Sequence, residues 1–287
     1  SGDWYNAGYI MTWGSNVPLT RTPDAHFLTE VRYKGTKVVS VSPDYAESTT
    51  SSDAWLNVKA GTDAALAMAM GHVILKEYYI DKETPYFKEY AKEFTDMPFL
   101  VRVEDINGTV QPGRFLNAKD LGRQEEGSDF QMVLIDETTN EIVVPNGTMG
   151  DRHTHPEKWN LRLENRDTGA KIDPRLSVFD QREDVTVVKL PYFGDEEHEG
   201  VIERAIPTIT VQTVDGPVKV TTVYDLILAN YGIDRGIGGE VAKAYTDDTP
   251  YTPTWQEKIT GVKADIAIAT AREFADNAEK TKGRSMI

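Results

Sequence analysis

Between Tyr9 and Met70 the chain alternates short apolar runs with polar, glycine-containing stops, and few folds accommodate that alternation. Residues 7–13 (AGYIMTW) form an apolar run that ends abruptly at Gly14, Ser15 and Asn16. Residues 23–33 then read as a helix, because Pro23 suits a first turn and Phe27, Leu28 and Val31 share a face. Gly35 closes it. Residues 37–41 (KVVSV) read as a β-branched buried strand whose end carries Ser42, Pro43, Asp44 and Tyr45. A second short apolar run, 54–58, stops at Ala60, Gly61, Thr62 and Asp63. From there 64–79 reads as a strongly apolar helix, with Leu66, Met70, Val73 and Ile74 at helical spacing.

Strand, helix, strand, strand, helix within so short a span predicts parallel crossover units and hence an α/β fold. In such sheets ligands sit outside the carboxyl ends of the strands. The three polar tips, 14–16, 42–45 and 61–63, are therefore predicted to line one crevice.

Further on, 85–94 reads as an amphipathic helix and 99–103 as a strand. From about Asn107 the character changes: Asn107-Gly108, Asn140 and Asn146-Gly147 mark tight turns between short alternating runs such as 131–135 and 141–144. Charged or polar loops are expected at 122–129, 165–169 and 195–200. Residues 206–213 and 218–223 flank Asp215-Gly216, which predicts a two-residue hairpin turn. Helices follow at 223–231, 254–260 and 263–280, and 285–287 reads as a further parallel strand. The organisation expected is a split α/β domain, 1–100 with 220–287, enclosing a β-rich, partly irregular insertion at 105–215.

With 46 acids against 31 bases the net charge is −15. Such a surface repels nucleic acid and anionic lipid. No apolar run approaches the ~20 residues of a membrane helix, so direct membrane insertion is not expected. The absence of cysteine removes disulfides, thiolate zinc sites, iron–sulfur ligation and cysteine nucleophiles. The opening Ser1-Gly2, without an initiator Met or signal peptide, and the strand-like last residues suggest a piece of something longer.

Each candidate group has a plain and a chemical reading. Gly14, Ser15 and Asn16 suit a phosphate-binding turn, since glycine admits close backbone approach, yet a simple turn explains them too. Thr62 and Asp63 suit helix capping; alternatively the Asp63 carboxylate could accept two N–H bonds from a guanine edge. Arg21, next to Asp24 and His26, could meet a phosphate or lie in solvent. His153 and His155 have metal-ligand spacing in a loop context that favours a solvated pair. Glu196-Glu197 and Asp247-Asp248 read as solvated surface, and the Asn107 and Asn146 glycosylation patterns read as turns.

The segments DWYN (3–6), WGSNVP (13–18), TRTPDAHF (20–27), VRYKGTK (31–37) and GTDAA (61–65) resemble the large catalytic subunits of respiratory nitrate reductases, within the molybdopterin oxidoreductases. So do WNL (159–161), PYFG (191–194), TTVYDL (221–226) and REFADNA (272–278). The likeness covers essentially the whole chain and is weakest around 105–190. It implies an α/β, Rossmann-like parallel sheet with helices on both faces, carrying the β-rich insertion, and holding one guanylate half of a bis-molybdopterin guanine dinucleotide. On that reading Trp13, Gly14, Ser15 and Asn16 approach the pyrophosphate and pterin side, with Arg21 nearby. Ser42, Pro43, Asp44 and Tyr45 lie by the ribose, and Gly61 and Asp63 read the guanine. Ser42 stands where many relatives carry an acid, so Ser42 and Asp44 are both candidates for the ribose.

The resemblance further implies nitrate reduction to nitrite in the parent protein, on the cytoplasmic side of the cell membrane. Its partners there are an iron–sulfur beta subunit and a quinol-oxidising membrane gamma subunit. The parent's 4Fe-4S cluster needs cysteine ligands that this chain lacks, and its acidic metal ligand falls before Ser1. The isolated fragment is therefore expected to be inactive, with no catalytic and no metal-ligating residue of its own. Two other readings remain: an ordinary nucleotide-binding Rossmann-type domain of another oxidoreductase, and a subunit-interaction module. Against the former stand the missing glycine fingerprint and the missing ribose acid about 20 residues on.

Overall fold

The computed structural model describes residues 3–148, 162–192 and 200–287. His153, His155, Glu196, Glu197 and the motifs at 159–161 and 193–194 lie outside the described residues. The chain divides into two compact units, residues 1–86 with 242–287, and residues 87–241.

The first unit holds strands β1 (Tyr9–Trp13), β2 (Lys37–Ser42) and β3 (Ala54–Asn57). They lie side by side in that order, and the last strand, Ser285–Met286, pairs on the other edge of β1. Every pairing is parallel. Alternation along the strands divides the apolar side chains between two faces. Tyr9, Met11, Val39, Val41 and Leu56 join one buried cluster, whereas Ile10 and Val38 join another.

Different helices cover these faces. Helix α1 (Ala25–Tyr33) places Leu28 and Val31 on the Ile10 and Val38 side. Helix α2 (Asp63–Ile74) presents Leu66, Met70 and Val73 to the opposite side, joined there by α3 (Pro253–Thr260) and α4 (Ala264–Thr281). Helix α4 turns a stripe of small residues inward, Ala267, Ala271, Ala275 and Ala278, all buried. Each buried Val, Leu or Met contributes about 1.5–3 kcal/mol relative to exposure.

Two readings of this unit need correction. The helix expected at 23–33 opens as a 3-10 turn, Thr22–Asp24, and becomes α-helical at Ala25. The single helix expected through 79 is α-helical only to Ile74 and continues as a π-helix, Leu75–Asp81. The wider turn gives Glu77 and Tyr78 polar partners on α4 and the strand-free segment before α3. Arg272 donates to both Glu77 carboxylate oxygens, and Tyr245 donates its hydroxyl to Oε1 at 2.9 Å. Tyr78 donates to the Arg272 carbonyl at 3.2 Å and to Asp276. Hydrophobic spacing carries no signal for such contacts.

The second unit is built on β4 (Leu100–Ile106), β5 (Thr109–Phe115), β6 (Asp184–Pro191), β7 (Val201–Thr213) and β8 (Gly216–Thr222). These form one antiparallel sheet in the order β6-β7-β8-β4-β5. Its edge strands β6 and β5 also meet, so the sheet curls. The Asn107-Gly108 turn is as read: both residues have positive φ, 55° and 81°. The Asp215-Gly216 turn is displaced by one residue. Thr213 pairs with Gly216, so the tip is Val214-Asp215, and Gly216 takes the positive φ of 114° inside the ladder.

A buried carboxylate ties the start of this unit together. Asp120 receives Arg114 on both oxygens, Arg102 Nη1 at 3.3 Å and the Asn117 N–H at 3.1 Å. Burial pushes the Asp120 carboxyl up, but the Arg114 and Asn117 bonds outweigh it and hold it below the usual range. A carboxyl lower in the folded state stabilises fully above its unfolded value, ~4. That stabilisation is lost as pH falls through the lowered folded value. Acid denaturation of the wild type should therefore steepen below about pH 4. Asp120→Asn should flatten this limb and lower stability at pH 7, as urea midpoints across pH 2–7 would register.

Candidate functional site

Because β1, β2 and β3 are adjacent and parallel, their carboxyl ends emerge together, with Trp13 opposite Val41 and Ser42 opposite Asn57. The three polar tips follow from those ends.

At the first tip, the Gly14 N–H donates to the Val41 carbonyl at 2.9 Å, and φ is 61°, a backbone that L side chains rarely adopt. A Cβ added to Gly14 would meet nothing within 4 Å, so open space faces the turn. Asn16 fastens this tip to the residues after the second one. Its Oδ1 accepts from the Ser48 N–H at 3.2 Å and the Ser48 hydroxyl at 3.4 Å, while its Nδ2 donates to Glu47. Ser48 Oγ in turn accepts the Val17 N–H at 2.8 Å. The Asn16 amide, helped by the Glu47 backbone N–H, holds the exposed Glu47 carboxyl below its usual range.

At the second tip, the Ser42 hydroxyl donates to the Asp44 carbonyl at 2.6 Å and closes a tight turn. The Trp55 indole N–H donates to the Ser42 carbonyl at 3.0 Å, and the exposed Tyr45 ring meets Trp55 edge-on, centroids 5.3 Å apart. Pro43 and Asp44 are exposed. Asp44 makes no side-chain bond to the first or third tip among the described residues.

At the third tip, Gly61 has φ of 81°, again with nothing within 4 Å of an added Cβ. Thr62 stands at the N-cap of α2 and Asp63 in its first turn, where a carboxylate suits the helix dipole, but the side-chain cap does not form. The Thr62 hydroxyl donates back to the Lys59 carbonyl at 2.6 Å, and no side chain caps α2. Half-buried Asp63 instead accepts the Trp13 indole N–H on Oδ1 at 2.9 Å. That bond reaches from the end of β1 past the middle strand to the residue that opens α2. Its Oδ2 accepts nothing from the described residues.

Arg21 pairs with Asp24 at 2.9 Å and remains largely exposed, while the His26 ring rests on Phe27, centroids 3.8 Å apart. Trp13, Ser15 and Arg21 also line a cleft of ≈ 320 Å³, with Trp4 and Met286 among the other walls. The cleft runs beside β1 where the last strand pairs, which is where the strand order reverses. The folded chain thus gathers Trp13, Ser15 and Arg21 at one cleft and draws Asp63 to Trp13. Ser42, Pro43, Asp44 and Tyr45 sit on the neighbouring strand end. Sequence reading missed Glu47, Ser48 and Trp55. The only available signal was position, a polar segment just past a strand end and an aromatic in the next strand. Asp247 and Asp248 serve local structure, receiving the Lys243 and Ala244 N–H groups and the Lys258 ammonium. Among the described residues no group of three or more His, Asp or Glu is placed to hold a metal ion.

A family model described as molybdopterin oxidoreductase matches residues 1–281. The nitrate reductase alpha chain of Bacillus subtilis is 53% identical over 287 residues, covering 100% of this chain and 23% of that protein. The respiratory nitrate reductase 1 alpha chain of Escherichia coli is 49% identical over 300 residues, 100% of this chain and 24% of its own length. The perchlorate reductase subunit alpha of Dechloromonas aromatica is 40% identical over 276 residues, 96% of this chain and 24% of its own. The chain thus spans about a quarter of the length of these relatives. With residues 1–281 inside the family match and this chain aligned over its full length to nitrate reductase alpha chains, the chain belongs to the molybdopterin oxidoreductase family.

Proposed function

We propose that this chain is the Rossmann-like part of a respiratory nitrate reductase alpha subunit and cradles one guanylate half of its bis-molybdopterin guanine dinucleotide. The observation that carries the reading is that three polar tips leave the carboxyl ends of adjacent parallel strands, with the half-buried Asp63 carboxylate held by Trp13. The residues fit such a group. Open space faces Gly14 and Gly61. The Ser15 and Asn16 N–H groups donate to no described residue, which suits an anionic pyrophosphate. Arg21 can add a cation there, Ser42 and Asp44 offer ribose partners, and Asp63 has the acceptor that a guanine edge requires.

When bound, the cofactor supplies two-electron redox chemistry at molybdenum. In the whole protein that chemistry would reduce nitrate to nitrite, with electrons passing from the clusters of an iron–sulfur beta subunit through a 4Fe-4S cluster held by the part of the parent chain outside this one. A quinol-oxidising membrane gamma subunit would feed these, with the complex on the cytoplasmic side of the membrane. The work of this chain is to bind and orient the nucleotide end of the cofactor, and alone it turns nothing over. That a perchlorate reductase subunit alpha is 40% identical over 276 residues of the same stretch supports a part common to both proteins, such as cofactor binding, over a part in choosing the oxyanion.

Thermal shift with GDP, GMP, NAD and ATP tests the assignment. Guanine nucleotides should raise the melting temperature of the chain above NAD or ATP at equal concentration, because linkage stabilises only the form that binds. Stabilisation by NAD without stabilisation by GDP would overturn it.

A further inference from the structure

We propose that Trp13 is the positioning residue for base selection: its indole N–H fixes the Asp63 carboxylate so that both oxygens face the guanine edge. The inference rests on the guanylate reading above and adds to it a residue whose part is indirect. A tryptophan that serves only to pack can spend its N–H on a nearby backbone carbonyl, as Trp55 does on Ser42, and Trp13 does pack, against the buried cluster of Tyr9, Met11 and Val41. Yet its one N–H is spent on Asp63 Oδ1 at 2.9 Å, the side chain of a residue fifty positions away on another tip.

A carboxylate pair offers about four acceptor positions. The indole takes one, and the others suffice for the two parallel donors of guanine, N1–H and the 2-amino group. The terminal torsion of an aspartate is broad. Without the indole the carboxylate turns to satisfy one base donor and water, and the second base bond weakens. Trp13 also lines the cleft beside β1 that holds Ser15 and Arg21, so one ring borders both the proposed phosphate end and the base-reading group.

The experiment compares GDP with IDP, which lacks only the 2-amino group, and with ADP. Binding of each to the full chain is measured by isothermal titration calorimetry, for wild type and Trp13→Phe. Wild type should prefer GDP to IDP by about tenfold, the worth of one hydrogen bond to a charged acceptor. In Trp13→Phe that preference should shrink to about twofold, over and above any change common to both nucleotides. A merely structural part for Trp13 would weaken both nucleotides and leave the ratio intact, and that outcome overturns the inference while the guanylate reading stands. Wild type that binds GDP no better than ADP, or not at all, overturns the guanylate reading and the inference with it. If Trp13→Phe fails to fold, the isosteric benzothienyl analogue of tryptophan at position 13 removes the N–H alone, and its GDP to IDP ratio decides between the same outcomes.

Discussion

An Asp225→Ala chain should lose about 3–5 kcal/mol of stability in the second unit, the cost of stranding a buried charge. Asp225 is completely buried. Its Oδ1 accepts the Ser177 hydroxyl at 2.6 Å and Arg235 Nη1; its Oδ2 accepts the Val178 N–H and the Thr222 hydroxyl, both at 2.9 Å. The Asp225 N–H returns a bond to Thr222 Oγ1 at 3.1 Å, which caps the helix Val223–Asn230. Arg235 is itself nearly buried, lies over the Phe179 ring at 4.2 Å, and has Ser177 as its other polar partner. Alanine removes the only carboxylate in this set and orphans the Val178 N–H as well. At roughly 2–4 °C per kcal/mol for a unit of this size, the melting temperature should drop by about 10 °C. Asp225→Leu combined with Arg235→Met should recover part of the loss, since neither charge is then left alone in the interior. Calorimetry on the wild type and the two variants is the check, and a drop below about 2 °C for the single change would dismiss the buried-pair account.

None of that network could be read from the sequence. Thr222 and Asp225 stand at capping spacing, but their partners Ser177, Val178 and Arg235 come from separate loops with no periodicity to betray them. The parallel sheet was legible for the opposite reason. Its strands are short, apolar and each followed by a polar stop, and its helices bury one stripe each, so local pattern and tertiary role agree. The π-helix at Leu75–Asp81 broke that agreement, because contacts with Arg272 and Tyr245 overrode a pattern that continues smoothly as α-helix. The displaced turn at Val214-Asp215 shows the same limit on a smaller scale. Asp-Gly is a strong hairpin signal, but the ladder register moved Gly216 into the strand.

In the candidate site, the tips were legible as chain stops at strand ends, whereas their lacing was not. The sequence presents Asn16 as a ligand-facing residue, yet its amide is committed to Glu47 and Ser48. The sequence presents Asp63 as a residue of the helix start or a base reader, and its bond to Trp13 belongs to neither description. On the guanylate reading, such cross-tip bonds bear on affinity. Loops already tied to one another lose little further freedom when a ligand arrives, so more of the contact energy appears as affinity. Each tie is also a place where a conservative change alters binding without touching the ligand.

The change with the largest expected effect on binding is at the carboxylate itself. Asp63→Ala should weaken GDP about 100-fold or more, because two hydrogen bonds to a charged acceptor are lost at ~1.5–3 kcal/mol each. ADP, with no donor pair to offer at that position, should be nearly indifferent. Loss of affinity alone could follow from a damaged loop, so the sharper variant is Asp63→Asn. An asparagine oxygen still accepts the N1–H of a purine, but its amide NH2 now faces the neighbouring position. Guanine places a 2-amino group there and meets donor against donor; xanthine places a carbonyl and meets donor against acceptor. Asp63→Asn should therefore invert the preference, binding XDP more tightly than GDP, where wild type favours GDP. Fold damage cannot produce an inversion. If Asp63→Asn instead binds both nucleotides in the wild-type ratio, Asp63 does not read the base, and the purine must meet this chain through other groups, of which the exposed Tyr45 beside Trp55 is the nearest in kind.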